Sequence, residues 1–341
     1  MRLHLGYVPL CDAAPVIVAH ELGFARGEGL ALDLTAEPSW ATLRDRLALG
    51  HLDAAHMLAP LALASRLGLS GPPSDLVVPL ALSLNGNALT LSRGLWAEMA
   101  PADEGPADEG LAAVAAAFAR VARARRAEGR PLTLGIVHPF SCHAYQVRLF
   151  AEAGDLDPAA FRTVVVPPQH SVEALARGLV DGYCAGAPWN DVAVAAGLGR
   201  IAALGCELAP DAPEKVLAVS GRLGDATLPL VRAVARAGRW CADPDNREEL
   251  ARCLARPAYL ALDAALIARA FGGDVILDAA GTRRLAPGHL RLGAAAQAPE
   301  PAHARWLAAQ MRASGQLPAD AIGTDAAAAA VYRPDLFRAA G

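Results

Sequence analysis

A weak internal duplication constrains the fold of this chain more than any other feature of its sequence. The segment LALGHLDAAHMLAP (47–60) aligns without gaps to LARGLVDGYCAGAP (175–188), which places a Gly, an Asp and a Pro opposite the same residue types. Each copy has the pattern of a helix end, a glycine beyond it and a short buried strand. A looser pair, LHLGYVPL (3–10) and LTLGIVHPF (132–140), precedes the two copies and has the pattern of a strand running into a proline-containing loop.

The duplication predicts two α/β lobes of similar organisation. Alternating strands and helices favour parallel strand pairs, and a length of 341 residues is typical of about two domains. Ligands of such sheets bind beyond the carboxyl ends of the strands, where helix N-termini point. Two facing lobes therefore predict a ligand-binding cleft between them.

Charge and hydropathy exclude several classes of partner. A formal net charge of −4 provides no overall positive field for nucleic acid. No stretch reaches about 18 uninterrupted apolar residues, so no membrane span is expected. The N-terminus lacks a basic segment followed by an apolar run and a cleavage site, which leads us to expect a cytoplasmic protein. The six cysteines are scattered without a CxxC pair, and we expect them to be reduced thiols.

Motifs of the common catalytic sites are absent from the sequence. The only lysine, Lys215, is followed by valine, so the chain has no P-loop for a nucleotide. The histidine pairs at 51/56 and 138/143 have a five-residue spacing that does not place two imidazoles on one helix face. No acid–base pair or activated nucleophile is evident. We therefore predict a binding protein rather than an enzyme, with no metal and no other cofactor.

A set of motifs spread over the chain is more specific together than any one of them alone. The set comprises GYVPLCDAAP, EPSWATLRDRLALGHLDAAHMLAP, LSLNGNALTLS, VHPFSCHAYQVRLF, VDGYCAGAPWN and PEKVLAV, with RWCADPDNREELA and YRPDLFR nearer the end. Together they resemble the nitrate/bicarbonate solute-binding proteins of ABC transporters. The resemblance implies an α/β, two-lobed periplasmic-binding-protein type II fold, each lobe a mixed sheet flanked by helices, with the ligand cleft between the lobes. It implies lobe I at 1–90 plus 206–341, lobe II at 91–205, and crossovers near 88–93 and 203–215.

The same resemblance implies a set of ligand-binding residues. Family members that bind nitrate hold the anion at five positions of these motifs, which here are Trp40, Asn87, His143, Gly186 and Lys215. The single lysine of the chain therefore lies at the anion-binding position. A flat monoanion needs in-plane donors and a compact positive charge, and these residue types supply both. Alternative explanations are lobe packing for Trp40, a turn role for Asn87 and an ordinary helix start for His143.

Two positions depart from the family pattern. Asn87 is one methylene shorter than the Gln that is common there, and Ala187 stands where many relatives have Glu. The bicarbonate branch, as the resemblance implies, uses an acid and calcium where the nitrate branch uses a cation. Lys215 and His143 therefore favour a metal-free nitrate or nitrite site.

The resemblance leaves three functions open. Cytoplasmic members of the family act as nitrate/nitrite sensors, which sequester an RNA-binding antiterminator with an ANTAR domain and release it when the anion binds. The expected cytoplasmic location favours this role, with the antiterminator as protein partner and no direct contact with nucleic acid or membrane. The alternatives are the solute-binding component of a nitrate or bicarbonate ABC transporter and a biosynthetic enzyme on the same fold.

Overall fold

The structure is a computed structural model that describes residues 1–100, 110–318 and 324–341. Two mixed sheets, one of six strands and one of five, organise these residues into two lobes. None of the described helices combines the length and the apolar character needed to cross a membrane.

The six-stranded sheet defines lobe I. Its strands, in spatial order, are β13 (Leu290–Arg291), β4 (Leu76–Asn85), β10 (Pro213–Ser220), β3 (Ala54–Leu58), β1 (Arg2–Tyr7) and β2 (Ala31–Ala36). Strand β1 runs parallel to β2 and β3, whereas β10 is antiparallel to both β3 and β4.

The five-stranded sheet defines lobe II. Its strands, in spatial order, are β7 (Arg162–Val165), β6 (Thr133–Ile136), β8 (Gly182–Gly186), β5 (Asn87–Ser92) and β9 (Gly199–Leu204). Strand β6 runs parallel to β7 and β8, and β5 is antiparallel to β8 and β9. A separate two-stranded ribbon consists of β11 (Asp274–Ile276) and β12 (Arg283–Leu285).

The two sheets share one topology, which confirms the duplication. The order β2-β1-β3-β10-β4 in lobe I matches β7-β6-β8-β5-β9 in lobe II, including the antiparallel strand in fourth place. In each sheet, this fourth strand comes directly after a strand of the other lobe in the sequence. Strand β5 of lobe II follows β4 of lobe I, and β10 of lobe I follows β9 of lobe II. The chain therefore changes sheet at Gly86 and again between Leu204 and Pro213. The sequence-based division at 90/91 and 205/206 stays a prediction.

The duplicated turn has the same hydrogen bonds in both lobes. Gly50 and Gly178 adopt positive φ values of 80° and 65°, the left-handed conformation that favours glycine after a helix. The Asp53 carboxylate then accepts a hydrogen bond from the backbone N–H of His4 at 2.8 Å. In lobe II, Asp181 accepts the corresponding bond at 2.8 Å from the backbone N–H that begins β6. This hydrogen bond ties each aspartate turn to the strand beside it, β1 in lobe I and β6 in lobe II.

Helices cover the sheets and bury their apolar faces. Helices of the first half are α1 (Ala14–Glu21), α2 (Phe24–Gly27), α3 (Trp40–Ala48), α4 (Ala59–Arg66), α5 (Arg93–Met99), α6 (Leu111–Ala127) and α7 (Cys142–Ala153). They are followed by α8 (Ser171–Ala176), α9 (Trp189–Ala195), α10 (Gly205–Leu208), α11 (Thr227–Ala242) and α12 (Arg247–Leu254). The last are α13 (Ala264–Ala270), α14 (Ala294–Gln297), α15 (Pro301–Ala313), α16 (Thr324–Val331) and α17 (Pro334–Ala339).

Direct hydrogen bonds join the two lobes next to the carboxyl ends of β1 and β8. The backbone N–H of Cys11 donates to the carbonyl oxygen of Ala187 at 2.9 Å, and the indole N–H of Trp189 donates to that of Pro9 at 3.1 Å. Farther along the cleft, the Gln169 amide donates to the carbonyl oxygen of Pro38 at 2.8 Å. The lobes are therefore in contact, and the cleft between them is closed.

Candidate functional site

A group of polar side chains lies between the carboxyl ends of the two sheets, shielded from solvent by both lobes. We call it the buried polar cluster. No member is more than 2% exposed, although ionisable residues are rarely buried this completely unless they are paired. Its members are Asp12, Trp40, His56, Asn87, His143, Gln146, Glu214 and Lys215.

Lys215 lies at the centre of the hydrogen bonds in this cluster. It is on β10, where it pairs with Leu58 of β3, and its side chain is 0% exposed. Its ammonium contacts the Asp12 carboxylate at 3.0 Å and the Glu214 carboxylate at 2.8 Å. One lysine is therefore held between two buried carboxylates.

Asp12 also connects the lysine to a histidine of β3. It lies in the short 3₁₀ turn Cys11–Ala13 that follows β1. The Nε2–H of His56 donates to its other carboxylate oxygen at 2.9 Å. Burial alone would raise the pKa of Asp12, but the Lys215 charge and the His56 hydrogen bond together lower it to about 2. Asp12 is therefore ionised across the neutral pH range.

Trp40 forms an aromatic wall on the lobe I side. It is the first residue of α3, and the hydroxyl of the preceding residue, Ser39, caps the helix by accepting from the Thr42 N–H at 3.1 Å. The ring centroid lies 5.5 Å from the Lys215 ammonium and 5.5 Å from the His56 ring.

Lobe II contributes amides rather than charges. Asn87, the first residue of β5, uses its side-chain NH₂ group twice: it donates to Gln146 Oε1 at 3.0 Å and to Glu214 Oε2 at 2.7 Å. Gln146 comes from α7. Its amide stands beside Asn87 and supplies a second carboxamide next to the shorter side chain at position 87.

His143 faces the cluster from the start of α7. Ser141 caps this helix by accepting from the Ala144 N–H at 3.1 Å. The His143 Nδ1 atom lies 3.6 Å from Glu214 Oε1, beyond hydrogen-bond distance. Burial and the nearby Lys215 charge lower the pKa of His143 well below its ordinary value, so that its ring is neutral.

Gly186 closes the cluster at the end of β8. It pairs with Asn87 in the sheet, and a Cβ atom at this position would lie 3.5 Å from Asn87 Oδ1 and 3.7 Å from an Asp12 oxygen. The glycine therefore brings bare backbone next to both lobes' polar groups. The next residue, Ala187, takes part through its backbone carbonyl, which accepts the interlobe bond from Cys11.

Several buried polar atoms of the cluster have no hydrogen-bond partner within the part of the chain that the structure describes. Leaving a buried polar group unpaired costs about 1–3 kcal/mol, so a concentration of such atoms in one place indicates a ligand site. The atoms concerned are Trp40 Nε1, His56 Nδ1, Asn87 Oδ1, His143 Nδ1 and Nε2, and Gln146 Nε2. This set includes both donors and acceptors from both lobes.

A groove away from this cluster has a different character. It is an open groove of about 530 Å³ on lobe II, lined by Arg93, Trp96, Arg200 and Asp278 among others. The Arg200 guanidinium is ion-paired with Asp278 and lies 4.4 Å from the Trp96 ring centroid. This groove is open to solvent, whereas the buried polar cluster concentrates polar atoms from both lobes that lack a hydrogen-bond partner among the described residues, which makes the cluster the stronger candidate.

All five predicted ligand-binding residues lie in or beside this cluster: Trp40, Asn87, His143, Gly186 and Lys215. Their ligand contacts stay predictions. The sequence analysis did not identify Asp12, His56, Gln146 and Glu214 as site residues, and it found no evident acid–base pair. The structure brings Asp12 and His56 together across 44 residues of sequence. Within the described ranges, no group of three or more His, Cys, Asp or Glu residues is placed to hold a metal ion.

Comparison with known proteins shows which family and which relatives the chain resembles. The model of the NMT1-like family matches residues 1–255. The chain is 32% identical over 352 residues to the nitrate/nitrite binding protein NrtA of Synechococcus elongatus, covering 98% of this chain and 76% of that protein. It is 33% identical over 327 residues to the bicarbonate transport ATP-binding protein CmpC of the same species, covering 93% of this chain. The chain spans only 46% of that longer relative.

Among solved structures, the crystal structure of the periplasmic nitrate-binding protein NrtA from Synechocystis PCC 6803 superimposes with a TM-score of 0.90 at 26% identity. The match covers 99% of this chain and 88% of that one. The predicted periplasmic-binding-protein fold, with mixed sheets flanked by helices in two lobes, is therefore confirmed.

Proposed function

The chain belongs to the NMT1-like family, and we propose that it binds nitrate or nitrite in the buried polar cluster between its lobes. One observation carries the proposal: the only lysine of the chain lies in a closed cleft, 5.5 Å from an indole ring, beside neutral donors of which several have no partner. The similarity to NrtA proteins, whose names state nitrate/nitrite binding, supports the choice of anion.

The available groups suit a small flat monoanion. Lys215 supplies the compact charge, and a hydrogen bond from a charged donor contributes about 1.5–3 kcal/mol. The indole N–H of Trp40 and one ring N–H of His143 are donors without a partner among the residues that the structure describes. Asn87 and Gln146 add amides, and Gly186 allows close approach of the backbone. These donors come from both lobes, so a bound anion stabilises the closed form.

A size argument limits the affinity. Four heavy atoms at a ceiling of about 1.5 kcal/mol each correspond to about 6 kcal/mol, or a Kd of tens of micromolar. A charged, desolvated site can exceed that ceiling, and we expect a Kd in the low micromolar range. Nanomolar affinity would identify a larger molecule as the ligand.

Within this function, we propose a cytoplasmic nitrate/nitrite sensor of the NasS type. Anion binding would shift the lobes toward the closed form, and a partner with higher affinity for the open form would then be released. The proposed partner is an RNA-binding antiterminator with an ANTAR domain. This role rests on the family resemblance and on the sequence-based expectation of a cytoplasmic location.

A transport role is the second candidate, and the identity of the relatives supports it. NrtA and CmpC carry names that refer to nitrate binding and bicarbonate transport. In that role the chain would deliver nitrate or bicarbonate to a membrane transporter. The two buried carboxylates of the cluster make bicarbonate a necessary competitor in any binding experiment, because its O–H group can donate to a carboxylate.

Isothermal titration calorimetry tests the proposed ligand. Nitrate, nitrite and bicarbonate, the last with and without calcium, are titrated into wild-type protein and Lys215→Ala, with exposed Arg177→Ala as the matched control. We expect low micromolar nitrate or nitrite binding without metal that Lys215→Ala abolishes and the control retains. Binding of bicarbonate alone, or equal binding by Lys215→Ala, contradicts the proposal.

Co-purification with an ANTAR-domain antiterminator separates the two candidate roles. The sensor role predicts a complex that forms without nitrate and dissociates at nitrate concentrations near the measured Kd. Failure to form a complex while nitrate still binds rejects the sensor role and favours transport.

A further inference from the structure

The Glu214 carboxylate occupies hydrogen-bond donors that the proposed function assigns to the anion. Its Oε2 accepts from the Asn87 amide at 2.7 Å, and its Oε1 accepts from the Lys215 ammonium at 2.8 Å. The same Oε1 atom lies 3.6 Å from His143 Nδ1. Three of the five predicted ligand-binding residues therefore face this one carboxylate.

A carboxylate is chemically similar to the proposed ligand. Both are flat monoanions whose oxygens accept hydrogen bonds in the plane of the group. Both hydrogens of the Asn87 amide are already used, one by Gln146 and one by Glu214. An external anion can therefore take the second hydrogen only if Glu214 gives it up.

An irregularity in β10 explains how Glu214 reaches this position. Neighbouring residues of a regular strand point to opposite faces of the sheet, so that Glu214 and Lys215 would be separated. The pairing of β10 with β4 shifts register between Pro213 and Lys215 and again between Lys215 and Val216. Irregular pairing of this kind redirects side chains, and here both charges enter the same cluster.

The charges of the cluster also oppose a second anion. The carboxylates of Asp12 and Glu214 share the single ammonium of Lys215, which leaves one negative charge in excess when both histidines are neutral. Buried like charges repel strongly because the surrounding medium screens them poorly. A further anion is accommodated more easily once one carboxylate is neutral.

We propose that ionised Glu214 is an internal competitor of the ligand, and that nitrate or nitrite binds with the uptake of one proton by the Glu214 carboxyl group. The proposal rests on the proposed function and adds to it a residue that sets affinity and its dependence on pH. The proton comes from solvent, and the neutral carboxyl group leaves the donors of Asn87 and Lys215 to the anion.

Glu214 itself is suited to take up this proton. Burial raises the pKa of its carboxyl group, the Lys215 charge opposes that rise and the Asp12 charge adds to it.

The other titratable groups around Glu214 are poor candidates for this proton. Asp12 is held ionised, and burial lowers the pKa values of His56 and His143. Cys142 and Cys184 also face Glu214, and burial raises the pKa of both thiols well above the ordinary value. Lys215 is protonated throughout, because its two carboxylates outweigh burial and raise its pKa.

The test is calorimetric titration of nitrate between about pH 6.5 and pH 8.5, in two buffers of different ionisation enthalpy, with wild type and Glu214→Gln. Glutamine keeps the size of the side chain and removes the ionisable group. The control is Glu173→Gln, which removes an exposed carboxylate of α8 that pairs with Arg177. Asp12→Asn removes the other carboxylate on Lys215 and leaves Glu214 in place.

We expect the wild-type Kd to rise by up to about tenfold per pH unit above the pKa of Glu214, with a binding enthalpy that depends on the buffer. At about pH 8.5, Glu214→Gln should bind nitrate at least about tenfold more tightly than wild type. Its Kd should not change with pH, and its binding should take up no proton. Glu173→Gln should match wild type, and Asp12→Asn should still take up a proton.

A wild-type Kd that is constant over this pH range overturns the proposal without reference to any variant. Proton uptake that persists in Glu214→Gln also overturns it, because the proton then goes to another group. In both cases nitrate binding itself remains and the proposed function stands. Absence of nitrate binding in wild type and in Glu214→Gln rejects the proposed function and this inference together, whereas binding by Glu214→Gln alone supports both.

Discussion

The two lobes match at their turns and differ where they face each other. Asp53 and Asp181 accept the same 2.8 Å hydrogen bond from the backbone of equivalent strands, β1 in lobe I and β6 in lobe II. At the cleft, lobe I contributes every formal charge of the cluster through Asp12, Glu214 and Lys215, which we call the charged side. Lobe II contributes Asn87, His143 and Gln146, which we call the neutral side.

This difference separates what specifies the fold from what specifies the ligand. Each lobe needs the glycine turn and the aspartate because both strands must begin in the correct register. A ligand between the lobes makes no such demand for symmetry. The charged side supplies the ammonium for the ligand and also the carboxylates that compete for it. The neutral side, which retains donors and acceptors without a partner among the described residues, can match the ligand's shape.

Removing the lysine is the most severe way to break the charged side. Lys215→Met should lower the free energy of unfolding by about 3–5 kcal/mol, because Asp12 and Glu214 would remain buried without their cation. Urea denaturation near neutral pH measures this loss. The exposed Arg177→Met control should change stability by less than about 1 kcal/mol. A loss below about 1 kcal/mol for Lys215→Met would show that the buried carboxylates of Asp12 and Glu214 do not need the Lys215 charge.

Two buried aspartates sharpen the comparison through opposite responses to pH. Burial raises the pKa of Asp191, on α9 of lobe II, to about 7, so its stabilising contribution is lost as the pH rises through about 7. Asp191→Asn should therefore stabilise the protein above this pH, by up to about 4 kcal/mol. The pKa of Asp12 is lowered to about 2, so its contribution is present above about pH 4 and is lost below it.

Asp12→Asn should accordingly destabilise the protein at neutral pH by about 2–3 kcal/mol, and this deficit should shrink as the pH falls below about 4. Urea denaturation of both variants across pH provides the measurement. Equal pH profiles for Asp12→Asn and Asp191→Asn would contradict the distinction between a carboxylate that has a buried cation and one that does not.

Truncating an amide should break the neutral side with a smaller effect. Asn87→Ala leaves Gln146 Oε1 and one Glu214 oxygen without their donor, and should cost about 1–3 kcal/mol of stability. The variant should also weaken nitrate binding by about tenfold, the loss of one hydrogen bond to a charged ligand. Chemical denaturation and calorimetry on the same preparation separate the two effects. Asn87→Gln, which restores an amide, should recover binding at least in part.

The matched turns should respond almost equally, which serves as the internal reference. Asp53→Ala and Asp181→Ala each remove a hydrogen bond from a strand N–H in a partly exposed position, at an expected cost of about 1 kcal/mol. Asp181 also pairs with the partly exposed Arg125, a surface ion pair that should add less than about 1 kcal/mol. Thermal denaturation of the two variants would contradict the structural equivalence if their losses differed by more than about 1 kcal/mol.

The two-lobed fold could be predicted from the sequence because the duplicated segments contain local conformational signals. A glycine after a helix and an aspartate before a strand are conformational signals that are readable from a short segment. The sequence did not indicate that each lobe contributes one strand to the sheet of the other. Strand β5 belongs to the sheet of lobe II although it follows the chain of lobe I, and only pairing across about 100 residues, from Asn87 to Gly186, shows it.

The five residues suggested by family motifs do lie together, whereas the carboxylates around Lys215 were missed. Asp12 follows a strand in an ordinary turn, and no local pattern indicates that it meets Lys215. Glu214 precedes the lysine directly, a spacing that on a regular strand would place the two side chains on opposite faces. The register shifts that bring the two side chains together arise from the pairing of β10 with β4. The residues next to Glu214 and Lys215 in the sequence do not indicate these shifts.

The crystal structure of the nitrate complex tests the account most directly. We predict nitrate oxygens within hydrogen-bond distance of Lys215 Nζ on the charged side and Asn87 Nδ2 on the neutral side, with the Glu214 carboxyl group withdrawn from both donors. A nitrate ion bound elsewhere, or one that leaves Glu214 on Asn87 and Lys215 as in the closed structure, would contradict it.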